Sequence, residues 1–168
     1  LGGYGHPPNV DAAHWLIDEI WPRLAKALPE ARLLLVGANP PKSIQDKASD
    51  RIIVTGLVED LAPWFARTRL FLAALRYGAG AKGKVLSSLA HGVPVVATDI
   101  AAEGLPLQDG KSVFMANTTD EIVSQAHRLY KSDEGQWNVH ARNAKDYIVE
   151  HHGFDACVVL LQEAISTS

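Results

Sequence analysis

The sequence predicts an α/β domain, a doubly wound parallel sheet of the Rossmann-like kind. Short, nearly unbroken apolar runs alternate with amphipathic stretches along the chain. That is the pattern of strands buried on both faces and covered by helices. Glycines close or follow three of the runs, at Gly37, Gly56 and Gly78, as strand-to-helix turns require. The length of 168 residues, 47% apolar and 21% charged, suits one domain that folds without disulfides or metals. Right-handed crossovers then generate the doubly wound arrangement.

Residues 1–8 (LGGYGHPP) read as a glycine–proline loop at the end of a strand. Residues 9–28 read as a helix, with Asn9 or Asp11 as its cap. Ala13, Leu16, Ile17, Ile20, Leu24, Ala27 and Leu28 make one apolar stripe. Pro22 falls within this helix and is expected to kink or divide it. Residues 32–37 form a buried strand. A loop with a short helix follows over 38–50. The β-branched run 51–55 is a second strand, and 59–67 a short helix bearing Leu61, Trp64 and Phe65. Residues 69–75 are a third strand, 77–83 a glycine-rich loop and 84–91 a helix. Residues 93–97 form a fourth strand and 113–115 a fifth. Helices over 119–131, 134–150 and 154–166 complete the chain.

Lys plus Arg number 16 and Asp plus Glu 19, a formal net charge of −3. No basic excess marks a nucleic-acid partner or an anionic membrane. Cys157 is the single cysteine, which excludes an internal disulfide and a cysteine-rich zinc framework. No apolar run approaches the ~18 residues of a membrane span. The chain begins at Leu1 without a signal-peptide pattern. It reads as a cytoplasmic fragment of a longer protein, with membrane-surface association open only to the missing parts.

Ligands of such sheets bind beyond the carboxyl ends of the strands. The segments found there are 2–9, 37–41, 56–59, 76–84 and 98–105. The most informative is Arg76-Tyr77-Gly78-Ala79-Gly80-Ala81-Lys82-Gly83-Lys84. Its small residues leave the backbone open. Lys82 and Lys84 put two cations at a helix start, where the dipole already favours an anion. A diphosphate suits that arrangement. The pattern is neither Walker A nor GxGxxG.

Other motifs lie around this loop. They are His6-Pro7-Pro8-Asn9-Val10-Asp11-Ala12, Pro29-Glu30-Ala31-Arg32-Leu33 leading to Val36-Gly37, and Val54-Thr55-Gly56-Leu57-Val58. After it come Ala90-His91-Gly92-Val93-Pro94-Val95-Val96-Ala97-Thr98 and Ala101-Ala102-Glu103-Gly104-Leu105. In order and spacing the chain resembles the C-terminal, nucleotide-sugar-binding domain of family-4 retaining glycosyltransferases (glycosyl transferases group 1), one half of the GT-B fold. The resemblance implies a UDP- or GDP-sugar donor as substrate, no cofactor and no metal. It implies donor diphosphate or sugar contacts from Gly80, Lys82, Gly83, Lys84, His6, Asn9 and Glu103. Nucleoside contacts would come from Gly56, Leu57, Val58 and Ser87. The saccharide or lipid-linked acceptor and the catalytic groups would belong to an absent N-terminal domain, so the fragment alone is expected to be inactive.

Two departures from the family pattern stand out. The Glu-x7-Glu positions of the family are Ala79 and Ser87 here, and residues 1–12 lack the basic pair that many members carry. A serine offers one short hydrogen bond where glutamate offers a bidentate charged one. The alternative is therefore a catalytically degenerate GT-B half that binds nucleotide or supports assembly. The histidines show no metal-ligand spacing, and His91 reads as a helix C-terminal residue. Trp15, Trp21, Trp64 and Trp137 read as core or partial core, whereas Tyr77 sits in the presumed cleft.

Overall fold

The computed structural model describes residues 1–78, 82–154 and 156 and, of Lys82, the backbone alone. The predicted helix over 154–166, with Cys157, falls almost wholly outside these residues.

Helix α1 (Pro7–Trp15) starts earlier than predicted, with His6 at the N-cap and Pro7 and Pro8 in the first two positions. Proline suits those positions because its missing amide would be unpaired there anyway. A π-helical turn, Leu16–Ile20, leads into α2 (Trp21–Ala27). Pro22 explains the turn. In α register its ring would strike the carbonyl of Asp18, and the wider turn, in which the Trp21 amide donates to Leu16 O, relieves the clash. The expected division is thus a bulge, and the apolar stripe runs through it: Ala13, Leu16, Ile17, Ile20 and Leu24 are all buried.

Strand β1 (Leu33–Val36) pairs in parallel with β2 (Ile52–Gly56). Helices α3 (Lys42–Gln45) and α4 (Ala62–Phe65) are single turns. Strand β3 (Phe71–Ala73) pairs in parallel with β4 (Val95–Ala97), and β4 with β5 (Phe114–Met115). Two of these strands are shorter than their apolar runs. Pro94 has no amide to give, so β4 begins after it. Arg69 turns away from the ladder. Its guanidinium donates to the carbonyls of Tyr130 (2.8 Å) and Ser132 (2.6 Å), and its own carbonyl accepts from Trp137 Nε1 (2.8 Å).

Helix α5 (Lys82–Ala90) follows the glycine loop. Helix α6 (Asp99–Ala102), not foreseen from the sequence, is capped by Thr98, whose hydroxyl accepts from the Ala101 amide and donates to Leu75 O at 2.6 Å. Helix α7 (Thr119–Lys131) opens on a reciprocal capping box between Thr118 and Glu121. Thr118→Ala is expected to cost about 1 kcal/mol, read as a fall in melting temperature of roughly 2–4 °C. Helix α8 (Glu134–His152) closes the described fold.

The ladders form a two-stranded sheet, β1-β2, and a three-stranded sheet, β3-β4-β5, and β4 is covered on both faces. Val95 belongs to an apolar cluster with Val85, Leu89 and Ala144, whereas its neighbour Val96 joins Ile20, Leu35 and Phe114. That is the period-two alternation of a strand between two layers. Trp15 and Trp21 are buried in the core.

Residues 1–4 run beside the end of β1: Gly2 N donates to Val36 O and Tyr4 N to Ala38 O, each at 2.9 Å. On their other side they border Ala73, Ala74 and Leu75 at the end of β3. The spatial order is β2, β1, the first residues, β3, β4, β5. The winding direction reverses at those first residues, and a doubly wound sheet opens its ligand crevice at such a point.

Candidate anion-binding site

The crevice is built where residues 2–9 meet the segment after β3. Gly2 has φ +141°, and a Cβ there would lie 2.6 Å from Lys84 Cε and 2.8 Å from Asn9 Nδ2. Only glycine leaves that room. Into it the Lys84 ammonium reaches and donates to Asn9 Oδ1. Asn9 Nδ2 donates to Gly3 O at 2.7 Å, which fixes the amide so that its oxygen faces the lysine. Gly78 has φ +92°, and its hydrogen side faces Pro8, whose Cγ would sit 2.5 Å from a Cβ. The glycine loop is thereby laid against the start of α1.

Lys84 is half-buried. Burial pushes its ammonium below the usual lysine value, because a desolvated charge is disfavoured. Asn9 is a neutral partner, and no carboxylate pairs with Lys84 among the described residues. A half-buried cation with no carboxylate partner among the described residues, at the switch point, has the chemistry that suits an anion. The second predicted cation, the Lys82 side chain, lies outside the described residues, as does Gly80. Gly83, in the first turn of α5, is exposed with open space beside its Cα.

The start of α1 differs from expectation. Asn9 and Asp11 do not cap it. The cap is His6, in extended conformation and without a side-chain cap bond. Pro7 and Pro8 have no amides to offer, and the Asn9 amide already donates to His6 O at 2.9 Å. This helix therefore meets Lys84 through the Asn9 side chain, while the exposed His6 ring lies beside Gly78.

Asp11 has another role that local sequence did not reveal. Its carboxylate takes a fork from Arg76, Nε at 3.0 Å and a terminal nitrogen at 2.5 Å, and the guanidinium lies 5.3 Å from the centre of the Trp15 ring. Arg76 begins the glycine loop, so the fork ties that loop to α1. Asp11→Asn should leave the fold intact and weaken binding of a diphosphate probe about fivefold, the equivalent of roughly 1 kcal/mol, measured by calorimetry beside a melting curve.

The other predicted residues share the carboxyl rim of the sheet without a described contact to this cluster. Gly56 ends β2 at φ +73°, and its carbonyl accepts from Gly37 N at 3.0 Å. Leu57 is 78% exposed, an apolar side chain presented to solvent at the rim, and Val58 is half-buried. Ser87 lies about one turn along α5 from Lys84. Its hydroxyl donates to Gly83 O at 2.7 Å, a bond within its own helix. Glu103 is exposed and follows α6. Tyr77 is half-exposed beside Gly78. His91 Nδ1 bonds Ser87 O at 2.8 Å, the C-terminal role the sequence predicts.

Comparison with known proteins gives the family. The family model Glycosyl transferases group 1 matches residues 1–132, and the chain belongs to that family. A curated relative, an uncharacterized 44.6 kDa protein in the cps region of Klebsiella pneumoniae, is 25% identical over 162 residues, 90% of this chain and 41% of the relative. The chain thus spans about two-fifths of that relative's length. Among solved structures it is similar to the C-terminal domain of a glycosyl transferase group 1 family protein (LpcC) from Francisella tularensis, with TM-score 0.71 and 16% identity over 92% of this chain and 84% of that one. It is also similar to Alr3699/HepE from Anabaena, solved with UDP and glucose, with TM-score 0.67 and 16% identity over 96% of this chain and 52% of that one. These likenesses establish the fold, a Rossmann-like domain of the GT-B kind.

Proposed function

We propose that this domain holds the diphosphate of a nucleotide-sugar donor for transfer of the sugar, with retention, to a saccharide or lipid-linked acceptor. The observation that carries the reading is Lys84, a half-buried ammonium with no carboxylate partner among the described residues, at the switch point of the sheet. As the bond from sugar to diphosphate breaks, negative charge grows on the departing phosphate. A fixed cation in a partly desolvated crevice stabilises that charge more than water does. Asn9 orients the cation, Gly2 leaves room for it, and Gly78 lays the glycine loop against Pro8 and the His6 ring. The acceptor and the remaining catalytic groups would come from a second domain, so this domain alone should not turn over. No cofactor or metal is part of the proposal. Among the described residues no helix is long and apolar enough to cross a membrane.

A second reading, a degenerate half that binds nucleotide without transfer, has one observation in its favour: the Ser87 hydroxyl is already engaged by Gly83 O. Calorimetry on the full-length protein with UDP, GDP and UMP, beside a turnover assay with the corresponding sugars, separates the two. Binding of a diphosphate, weaker binding of the monophosphate and sugar transfer support the first reading. Binding without transfer supports the second, and no binding at millimolar diphosphate ends both.

The depressed pKa of Lys84 sets a pH signature. An anion favours the charged ammonium and raises its pKa on binding. Diphosphate affinity should be greatest below the depressed pKa and fall as pH rises through it. Within that window binding takes up a proton, which calorimetry in buffers of different ionisation enthalpy detects.

A further inference from the structure

Lys84 has a chemistry that anion binding does not use. An ammonium has no lone pair, and only the free amine is a nucleophile. Burial lowers the pKa of Lys84, so at a given pH more of it is free amine than of a lysine in open water. The group is also held in place. Its nitrogen donates to Asn9 Oδ1, and Asn9 Nδ2 is fixed on Gly3 O at 2.7 Å. A free amine keeps that bond with one hydrogen and directs its lone pair away from Asn9. On another side the nitrogen meets bare backbone, since a Cβ on Gly2 would lie 2.8 Å from it.

The ionisable groups around Lys84 leave the amine form open. No carboxylate pairs with it among the described residues. Tyr4 lines a small hollow together with Lys84 and Asn9, and burial raises its pKa, so it stays an uncharged phenol near neutral pH. The Leu1 amine, pushed down to about 5 by burial and by the Lys84 cation, has lost its proton before Lys84 titrates. The exposed His6 ring lies beside Gly78. Lys47 is the contrast within the chain: its ammonium is paired with the Asp18 carboxylate at 2.8 Å.

We propose that Lys84 is a site of N-acylation, whose free amine takes the acyl group of a small acyl phosphate and which, once acylated, no longer holds an anion. The class of reagent follows from the site. A phosphate suits a half-buried cation at the switch point, and the carbonyl carbon bonded to that phosphate is the electrophile an amine needs. The acyl group is small because Gly2 and Asn9 stand close to the nitrogen. In the step, the nitrogen attacks the carbonyl carbon and a C–N bond forms. The bond from that carbon to the phosphate oxygen breaks, and phosphate leaves with the electron pair. The surplus proton of the nitrogen ends on the phosphate. The products are an amide and inorganic phosphate, with nothing oxidised or reduced. An amide carries no charge, so the modification switches off diphosphate binding. The reactivity stands by itself, and only this consequence rests on the donor-site reading.

Acetyl phosphate incubated with the full-length protein, followed by peptide mass spectrometry, tests the idea. Lys84 should be acetylated about tenfold or more faster than the exposed Lys26, Lys42 and Lys131. Labelling of Lys84 at or below their rate overturns the proposal. With the neutral reagent p-nitrophenyl acetate, the Lys84 rate should rise with pH and level off below the ordinary lysine pKa. A rise that continues through that value overturns it as well. UDP should slow the labelling, and the acetylated protein should bind UDP about a hundredfold more weakly. Undiminished UDP binding after acetylation overturns the switch. Fast labelling in a protein that binds no UDP supports the reactive amine and overturns the donor-site reading, so the two failures are told apart.

Discussion

Lys84→Met is expected to weaken nucleoside diphosphate binding by about a hundredfold and to lower the kcat/KM of the proposed sugar transfer by the full-length protein by roughly 10²- to 10³-fold. Methionine keeps the stem's packing and removes the charge that faces the ligand. The effect on stability should have the opposite sign. Because burial lowers the folded-state pKa of Lys84, the unfolded chain binds more protons over the window from that depressed value up to the ordinary lysine value. Stability of the wild-type domain therefore rises with pH across the window, and the full cost of the buried charge is felt below it. The methionine variant lacks this slope. At neutral pH it should melt no lower than wild type while binding far less nucleotide. Lys84→Arg should recover part of the binding, since it restores a cation with a different fork. Unchanged diphosphate affinity in Lys84→Met would remove the central claim.

Gly37→Ala is expected to destabilise the domain by about 3 kcal/mol or more, seen as a fall in melting temperature of roughly 6–12 °C. Gly37 closes β1, and a Cβ there would lie inside the carbonyl oxygen of Gly2, with the Gly2 carbonyl carbon 2.6 Å away. The obstacle is backbone on both sides, so no rotamer change relieves it. The first residues must move off β1, which breaks the bonds from Gly2 to Val36 and from Tyr4 to Ala38. Gly2 also makes the room for Lys84 and Asn9. Nucleotide affinity should fall with stability. Gly83→Ala, where open space surrounds the added carbon, is the control and should leave the melting temperature within about 2 °C.

Much of this was legible in the residues. The alternation of apolar runs and amphipathic stretches identifies the strands and helices because each carries its own period. Pro22 announces an interruption because ring and carbonyl collide locally. Glycines at 2 and 78 and the lysine at 84 stand at the crevice, and they draw notice in the sequence because open backbone and positive charge are properties of the residues themselves. What local sequence could not show is pairing at a distance. Asn9 and Asp11 are both good caps by type. One instead turns to Lys84, 75 residues away, and the other to Arg76, 65 residues away. Arg69 lies in an apolar run and leaves the ladder for carbonyls at the C-terminal end of α7.

The sequence by itself determined the layered α/β class, the order of the strands and most of the helices between them, since each follows from local sterics and hydrophobic period. Only the tertiary structure decided that Lys84 is half-buried, that the Asn9 amide is its partner and that Arg76 is tied to Asp11. Those depend on segments far apart in the chain meeting at one switch point, and the burial that results lowers the pKa of Lys84.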